Sequence, residues 1–375
     1  MGVRFALIIA ILGVGKIANA QGTPTTLGIN ASTRPFPSAD FVLRDAQHKE
    51  QKSGVQLGPR GQLTIVSGVG TPTVINALTF SGDGKILAAG KDFRRIALWD
   101  SSARKFLRAI DTNQGNVNAI ALSADGKTVA TGGSGDNYSV KIWGTSGGDL
   151  LWTFTEPRTP IQKLLFDVDG KWLIVEDNSS GVFIVNTGDH KTGVKLPTIH
   201  AVCMSHDGRT LVTTDGKEFA AWTAPEWTKT QSAPMSKSSS LLLASNLGAD
   251  QLALYESRSI RVAQFSSGQL TLDRRDLVPQ DFTWRPTFGE FSTEGLLYLS
   301  LDGHLLVVDV RRNQVCSGPQ MYSGAGALSR DGRWFAGSKD DSILSKERTD
   351  GVWVWSTDRL LDKCGLNSSS KAQAK

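Results

Sequence analysis

One unit recurs along this chain: an apolar run, a turn that contains Asp-Gly, and a second apolar run. The turn aspartates Asp83, Asp125, Asp169 and Asp207 follow one another at intervals of 42, 44 and 38 residues. A repeat of this length is typical of folds in which each unit is one small supersecondary structure that stacks on its neighbours. The copies with an Asp-Gly turn begin at Ala77, Ala119, Lys163, Ala201 and Gly326, and two copies with altered turns begin at Leu241 and Gly289.

A third apolar run follows each pair and commonly carries an aromatic residue near its end. All these runs are short, bounded by turns and rich in Val, Ile, Leu and Trp, which favours strands over helices. A weaker fourth segment follows several copies, as in KFLRAI from Lys105, LLWTFT from Leu150 and NQVCSG from Asn313. Four short strands per unit and seven units predict an all-β protein, a seven-bladed β-propeller of four-stranded antiparallel blades. The third runs are IALWD to Asp100, VKIWG to Gly144, VFIVN to Asn186, EFAAW to Trp222, IRVAQF to Phe265, LLVVDV to Val310 and VWVWS to Ser356.

The pattern of FS-x-DGK, then LA-x-G, then Asp, then a strand that ends in Trp-Asp resembles the WD-repeat family of β-propellers. The resemblance covers residues 62–360, and it matches the Asp before the third strand with Asp92, Asp136 and, more loosely, Asp350. Two features depart from the family pattern: the Trp-Asp dipeptide occurs once, at Trp99-Asp100, and the Gly-His pair before the first strand is absent. Without that His we expect an incomplete buried hydrogen-bond network and blades held mainly by apolar packing.

A propeller ring needs an outer strand to complete its last blade. The run from Leu63 to Ser67 has the right spacing, and we expect it to pair with the third strand of the last copy. The domain boundaries are then a flexible leader over 21–60, the propeller over 61–365 and a disordered tail over 366–375. Deleting residues 21–55 should leave the fold intact, whereas deleting 21–68 should abolish it.

The first twenty residues have the layout of a secretory signal peptide, because Arg4 precedes an apolar stretch that ends at Ala18-Asn19-Ala20. Cleavage after Ala20 would leave no transmembrane anchor and would place the protein in the periplasm or outside the cell. The formal net charge falls from +5 to +3 (39 basic against 36 acidic residues) once Arg4 and Lys16 are removed. This small surplus disfavours nucleic-acid binding.

The three cysteines are too far apart for a CxxC metal or redox motif. Cys203 lies in an apolar run and is expected to be buried, which leaves Cys316 and Cys364 as the favoured disulfide pair. The two residues should lie near the rims of neighbouring blades, at the seam where the ring closes.

No residue pattern predicts a catalytic site, a cofactor or a metal. The five histidines are scattered without a metal-ligand spacing, and no GxSxG or phosphate-binding loop occurs. Each Asp-Gly pair fits a tight hairpin better than a calcium site, since calcium needs several closely spaced oxygens. The tryptophans at Trp99, Trp143, Trp222 and Trp355 are expected to pack between blades.

Two classes of function remain open. The first is a non-enzymatic scaffold that binds a protein or peptide partner. The second is a propeller enzyme that acts at the central channel, either a lactonase-like hydrolase or a cofactor-dependent oxidoreductase. The apolar inner strands favour the scaffold, because an enzyme needs titratable side chains from several blades that converge on the channel.

The partner surface is expected on one face of the ring. The Asp-Gly turns lie on what we call the hairpin face, and the connections from second to third strands and between successive units lie on the opposite loop face. Long loops on a rigid scaffold commonly bind partners. The predicted surface comprises Trp284, Arg285, Arg94, Arg95 and Arg348, although Trp284 alternatively packs beneath its own loop.

Overall fold

The structure is a computed structural model. It describes residues 38–44, 55–57, 63–65, 74–91, 94–135, 138–179, 181–196, 201–205, 207–235, 241–245, 251–256, 259–266, 269–272, 286–301, 303–312, 314–321, 325–338 and 351–366. Except for one short helix, the regular structure in these residues is β-strand. The predicted all-β class is therefore confirmed.

The described strands form seven four-stranded antiparallel sheets and one separate two-stranded sheet. Strand β1 is Phe41–Leu43, and the two-stranded sheet pairs β2, Val55–Leu57, with β3, Leu63–Ile65. Six sheets, named blades 1 to 6, each consist of four strands that are consecutive in the sequence. Blade 1 has β4 Ile75–Phe80, β5 Ile86–Lys91, β6 Arg95–Asp100 and β7 Lys105–Asp111; blade 2 has β8 Val117–Leu122, β9 Thr128–Gly133, β10 Val140–Gly144 and β11 Leu150–Phe154. Blade 3 has β12 Ile161–Phe166, β13 Trp172–Asp177, β14 Gly181–Asn186 and β15 Thr192–Leu196; blade 4 has β16 Ala201–Met204, β17 Thr210–Thr214, β18 Glu218–Thr223 and β19 Thr228–Pro234. Blade 5 has β20 Leu241–Ser245, β21 Gln251–Glu256, β22 Ser259–Ser266 and β23 Gln269–Leu272; blade 6 has β24 Phe288–Phe291, β25 Leu296–Leu301, β26 His304–Asp309 and β27 Gln314–Gln320.

The remaining four-stranded sheet, named the closing sheet, combines the first described strand with the last three. It contains β28 Gly326–Leu328, β29 Trp334–Ser338 and β30 Val352–Ser356, and β1 pairs antiparallel with β30 as its outer strand. The structure therefore shows six blades that are contiguous in sequence rather than the seven predicted, and the remaining four-stranded sheet is composite.

The prediction that Leu63–Ser67 closes the ring is wrong. Strand β3 pairs with β2, while Phe41, Val42 and Leu43 lie opposite Val354, Trp353 and Val352 of β30. The boundary at residue 61 is wrong for the same reason, because 38–44 belong to the propeller. Deleting residues 21–55 would remove β1, so we no longer expect the fold to survive that deletion.

Apolar packing between sheets holds the ring together. Seven clusters of buried side chains lie at the seven sheet-to-sheet interfaces of the described residues, including the one between the closing sheet and blade 1. Trp99, Trp143 and Trp355 are buried in three of these clusters, and Trp222 packs at the edge of a fourth. The prediction that these tryptophans pack between blades is confirmed.

Glycines in the second strands let neighbouring blades approach closely. A Cβ atom at Gly90 would lie 2.7 Å from the Val117 carbonyl oxygen of the next blade, and one at Gly132 would lie 2.8 Å from Ile161 Cβ. The short LA-x-G pattern of the sequence therefore marks the places where a first strand crosses its neighbour's second strand.

A helix follows the last strand. Helix α1, Thr357–Cys364, buries Leu360 and Leu361 against blade 6 and the closing sheet, and it ends at Gly365 in the left-handed conformation (φ 67°). Its last residue, Cys364, forms a disulfide with Cys316 of β27, with the two Cα atoms 5.5 Å apart. This is the pair that the sequence favours, and it joins blade 6 to the segment that follows the closing sheet.

Replacing both Cys316 and Cys364 by Ser should lower the free energy of unfolding by about 2 to 4 kcal/mol, because the disulfide closes a long loop in the unfolded chain. Urea unfolding with and without reductant measures this effect. Reductant should destabilise the natural chain and leave the double variant unchanged. Equal stability of the natural chain and the double variant under oxidising conditions would contradict the prediction.

Candidate functional site

The Asp-Gly turns are self-contained structural motifs on the hairpin face. In the first turn the Ser81 hydroxyl donates to Asp83 Oδ1 (2.6 Å), the same oxygen accepts the Lys85 N–H, and Ser81 Oγ accepts the Ile86 N–H. The turns beginning at Ser123, Ser205 and Ser329 repeat this arrangement. At Asp125 the hydrogen bond from Ser123 lowers the carboxyl pKa. These carboxylates are therefore occupied by their own turns, which supports the structural interpretation of the Asp-Gly pairs.

A buried hydrogen-bond network ties the connection between blades 1 and 2 to blade 2, and the sequence prediction missed it. Gln114 Nε2 donates to the carbonyl oxygens of Ser139 (2.6 Å) and Thr131 (3.1 Å), and Gln114 Oε1 accepts the Thr131 hydroxyl. Thr131 Oγ1 in turn accepts the Trp143 indole N–H at 2.9 Å. Gln114 thus supplies a buried donor and acceptor just before the first strand of blade 2. Blade 2 therefore has a buried hydrogen-bond network without the family's His, in addition to its apolar packing.

The third-strand tryptophans of blades 4 and 1 also have hydrogen-bond partners for their indole N–H groups. In blade 4, Trp222 Nε1 donates to Thr213 Oγ1 (2.9 Å), as Trp143 does to Thr131. In blade 1 the position equivalent to Thr131 is Ala89, and Trp99 Nε1 donates to the Arg44 carbonyl oxygen instead (3.1 Å). Blade 1 therefore depends on the segment that carries β1.

Gln114→Ala should cost about 2 kcal/mol or more in unfolding free energy, because it leaves buried groups of Thr131 and Ser139 without their hydrogen bonds. The midpoint of urea denaturation reports the change. Gln162→Ala, which removes an exposed amide from blade 3, is the matched control and should change stability by less than about 0.5 kcal/mol. If Gln114→Ala behaves like this control, the network does not stabilise the fold.

Of the predicted partner surface, Arg94 and Arg95 lie in the described part of the chain. Arg94 is exposed at the start of β6 on the loop face, with a left-handed backbone (φ 68°). Its N–H donates to the Gly115 carbonyl (2.8 Å), its carbonyl accepts the Thr112 N–H (2.6 Å), and its guanidinium donates to Asn113 Oδ1. Arg95 lies opposite Asp111 in the strand register.

Lys141 joins this region from blade 2. Its ammonium donates to the Thr112 carbonyl oxygen (2.7 Å) and lies over the Trp143 ring at 5.9 Å. We call Arg94, Arg95 and Lys141 the basic corner. Arg94 of blade 1 and Lys141 of blade 2 thus both form hydrogen bonds to the connection between these blades. Trp284, Arg285 and Arg348 lie outside the described residues, as do Asp92, Asp136 and Asp350.

The ring encloses a central channel with a volume of about 500 Å³. Residues of all seven first strands line it. Near the loop face its lining includes the polar residues Asn118, Gln162 and Thr287. At the hairpin face the Arg330 guanidinium crosses from the closing sheet to blade 4 and donates to the Asp207 carbonyl oxygen. The channel is therefore narrowed at its hairpin end by a cationic side chain.

Two charged side chains face the middle of the channel from blades 3 and 6. Lys163 of β12 donates from Nζ to the Val202 carbonyl oxygen of blade 4 (2.9 Å), and Glu290 of β24 accepts the Leu328 N–H at Oε2 (3.2 Å). Each side chain therefore crosses an interblade seam to a backbone group of the next sheet. The sequence prediction described the first strands as mostly apolar and missed both residues. Their signal in the sequence is one charged residue within each of the short runs KLLF and GEF.

Burial raises the pKa of Glu290 to about 7, although the backbone N–H of Leu328 and the charge of Lys163 oppose this shift. Glu176, on the neighbouring strand β13, is also raised by burial to a pKa of about 7, while Lys163 opposes the shift. Glu290, which lines the channel, is therefore only partly ionised at neutral pH.

Among the described residues, no group of three or more His, Cys, Asp and Glu side chains could hold a metal ion. The helix in the described residues is also too short and too polar to cross a membrane. His190, one of the two histidines in the described residues, lies in a turn of blade 3 and stacks on Trp152 of blade 2 with ring centroids 4.4 Å apart.

Comparison with known proteins agrees with this geometry. Residues 104–144, which run from the end of blade 1 through the third strand of blade 2, match the family model "WD domain, G-beta repeat". The chain also aligns with the β-propeller domain of Cps50 (Swd1) from Myceliophteria thermophila, with a TM-score of 0.59 and 16% identity over 76% of this chain and 98% of that domain. The protein is therefore a β-propeller that contains a match to the WD-repeat model.

Several curated proteins match short stretches of the chain. The chain is 36% identical over 73 residues to the guanine nucleotide-binding protein subunit beta of Schizosaccharomyces pombe, which covers 20% of this chain and 23% of that protein. It is 32% identical over 88 residues to the periodic tryptophan protein 2 homolog of Dictyostelium discoideum (23% and 9%). It is 27% identical over 101 residues to the eukaryotic translation initiation factor 3 subunit I of Lodderomyces elongisporus (27% and 28%). The chain thus spans less than a third of the length of these relatives.

Proposed function

We propose that this WD-repeat propeller is an exported, non-enzymatic scaffold that binds a protein or peptide partner through its loop face. The closing sheet counts in this proposal as the seventh blade of a closed ring. The partner surface is the one that the sequence predicts, centred on Trp284, Arg285, Arg94, Arg95 and Arg348. The observation that carries the proposal is the basic corner, where the exposed Arg94 lies on a loop that backbone hydrogen bonds and Lys141 of blade 2 hold in place.

The rigidity of this loop favours binding. Arg94 is tied by backbone hydrogen bonds to Thr112 and Gly115, and Lys141 holds the Thr112 carbonyl from the opposite side. A loop that is already ordered loses little conformational freedom when a partner binds. Arginine is also among the residue types enriched at binding hot spots.

The relatives support an interaction role. Two of the three named above carry the word "subunit" in their names, as a guanine nucleotide-binding protein subunit and as an initiation factor subunit. A propeller of this kind commonly contributes a rigid surface to an assembly, and we extend that role to this chain.

Two observations support export. The sequence begins with the layout of a signal peptide, and Cys316 and Cys364 form a disulfide of the kind that persists in oxidising compartments. In this proposal the mature chain begins at Gln21 and acts in the periplasm or outside the cell.

Site-specific photo-crosslinking tests the proposal. A photoreactive residue replaces Asn113 on the loop face or Ser102 on the hairpin face of the full chain expressed in its natural host. The exported fraction is then illuminated, and mass spectrometry identifies both the crosslinked partner and the first residue of the mature chain. We expect a specific crosslink from position 113, and a mature chain that begins at Gln21 in the exported fraction.

Measuring the affinity of variants for the purified partner then tests whether the proposed residues contribute to binding. Arg94→Ala with Arg95→Ala, and Trp284→Ala with Arg285→Ala, should each weaken binding by about tenfold or more. Lys85→Ala with Lys127→Ala removes the same charge from the hairpin face and should leave affinity unchanged. Crosslinking from Ser102 alone, or loss of affinity only in the lysine control, would place the partner on the opposite face. Recovery of the chain only inside the cell would contradict export.

A further inference from the structure

Lys163 and Glu290 form an unusual pair, because they carry opposite charges and face the same cavity from opposite sides of the ring. Blades 3 and 6 are separated by two sheets in one direction round the ring and by three in the other. Both side chains line the channel, and the charge of Lys163 acts on the carboxyl group of Glu290. Within the described residues, no direct ion pair joins them.

Each member of this pair keeps capacity for a ligand. Lys163 uses one of its three N–H donors on the Val202 carbonyl, and Glu290 uses Oε2 on the Leu328 N–H. An ionised carboxylate has several acceptor positions, so Glu290 can accept further hydrogen bonds. A buried charge is costly unless an opposite charge or several hydrogen bonds compensate it. A ligand that brings a cation to Glu290 and an anion to Lys163 would supply that compensation at both ends.

We propose that the central channel binds a small zwitterion, with its ammonium group at Glu290 and its carboxylate at Lys163. The cavity of about 500 Å³ lies within the usual range of small-molecule sites. The polar residues Asn118, Gln162 and Thr287 near the loop face give such a ligand a polar entrance, and Arg330 narrows the other end. This inference is independent of the proposed partner surface.

The surrounding charges set the pH dependence of binding. Glu290 faces the Leu328 N–H from β28 and Lys163 from β12, while Glu176 and Asp177 flank Lys163 from β13. Asp167 and Arg330 lie at the hairpin end. Because the ammonium group needs an ionised Glu290, affinity should rise as pH increases from 6 to 8 through the Glu290 pKa of about 7.

Calorimetric titration of the full mature chain with ω-amino acids tests the site. The probes are glycine, 4-aminobutyrate and 6-aminohexanoate, whose charge separation increases in steps, and the controls are hexylamine and hexanoate, which each carry one charge. We expect one chain length to bind with a Kd below about 1 mM at pH 8, and at least about tenfold more tightly than either control. Binding that is equally tight for hexylamine, or absent for all three zwitterions, would overturn the proposal.

Variants assign the two ends of the ligand. Glu290→Gln keeps an acceptor for the Leu328 N–H and removes the charge, and Lys163→Met removes the ammonium group. Each should weaken binding about tenfold or more. Glu294→Gln and Lys171→Met make the same changes on exposed residues of blades 6 and 3 and should have no effect. If a channel variant fails to fold, the pH dependence of the natural chain decides, because pH-independent affinity between 6 and 8 also overturns the proposal.

Discussion

The pairing of β1 with β30 is the contact on which the rest of the structure depends. A stack of sheets buries its apolar faces completely only when the ring closes, since an open ring exposes the faces of its two end sheets and leaves strand edges unpaired. Three residues of β1 complete the closing sheet, and neighbouring groups reinforce them: the Asp40 carboxylate accepts the Ser356 N–H (2.7 Å) and pairs with Arg359. The Arg44 carbonyl also accepts the indole N–H of Trp99 in blade 1. One short segment therefore joins the closing sheet to blade 1.

Closure of the ring also determines the geometry of the central channel and of the basic corner. The channel is defined by seven first strands at fixed distances, so Lys163 and Glu290 face each other only in a complete ring. The basic corner depends in the same way on contact between adjacent blades, through Thr112, Lys141 and the Gln114 network. Charged and polar side chains thus act here as interblade links. Burial disfavours the ionised form of such groups, and it raises the pKa values of Glu176 and Glu290 to about 7.

The sequence was sufficient to predict the parts of the fold that repeat. The Ser-x-Asp-Gly turns and the third-strand tryptophans reflect local interactions that recur in several units, and short apolar runs recur in all of them, so the period is readable. Features that occur once were harder to predict. The closing strand Phe41–Leu43 is only three residues long, and nothing local distinguishes it from the run at Leu63. Gln114 was missed because its role is defined by Thr131 of β9 and by Ser139 just before β10, which are distant in the sequence. Helix α1 had a readable signal, since Thr357, Leu360, Leu361 and Cys364 follow helical spacing.

The central claim is that β1 closes the ring, and a pair of truncations tests it most directly. One chain begins at Ser38 and retains β1, while the other begins at Asp45 and lacks it, and both keep the segment with β2 and β3. Urea unfolding followed by tryptophan fluorescence should show a stable cooperative transition for the Ser38 chain. The Asp45 chain should lose several kcal/mol of stability or fail to fold, because it loses the outer strand of the closing sheet and the partner of Trp99. Equal stability of the two chains would contradict this account of how the propeller closes.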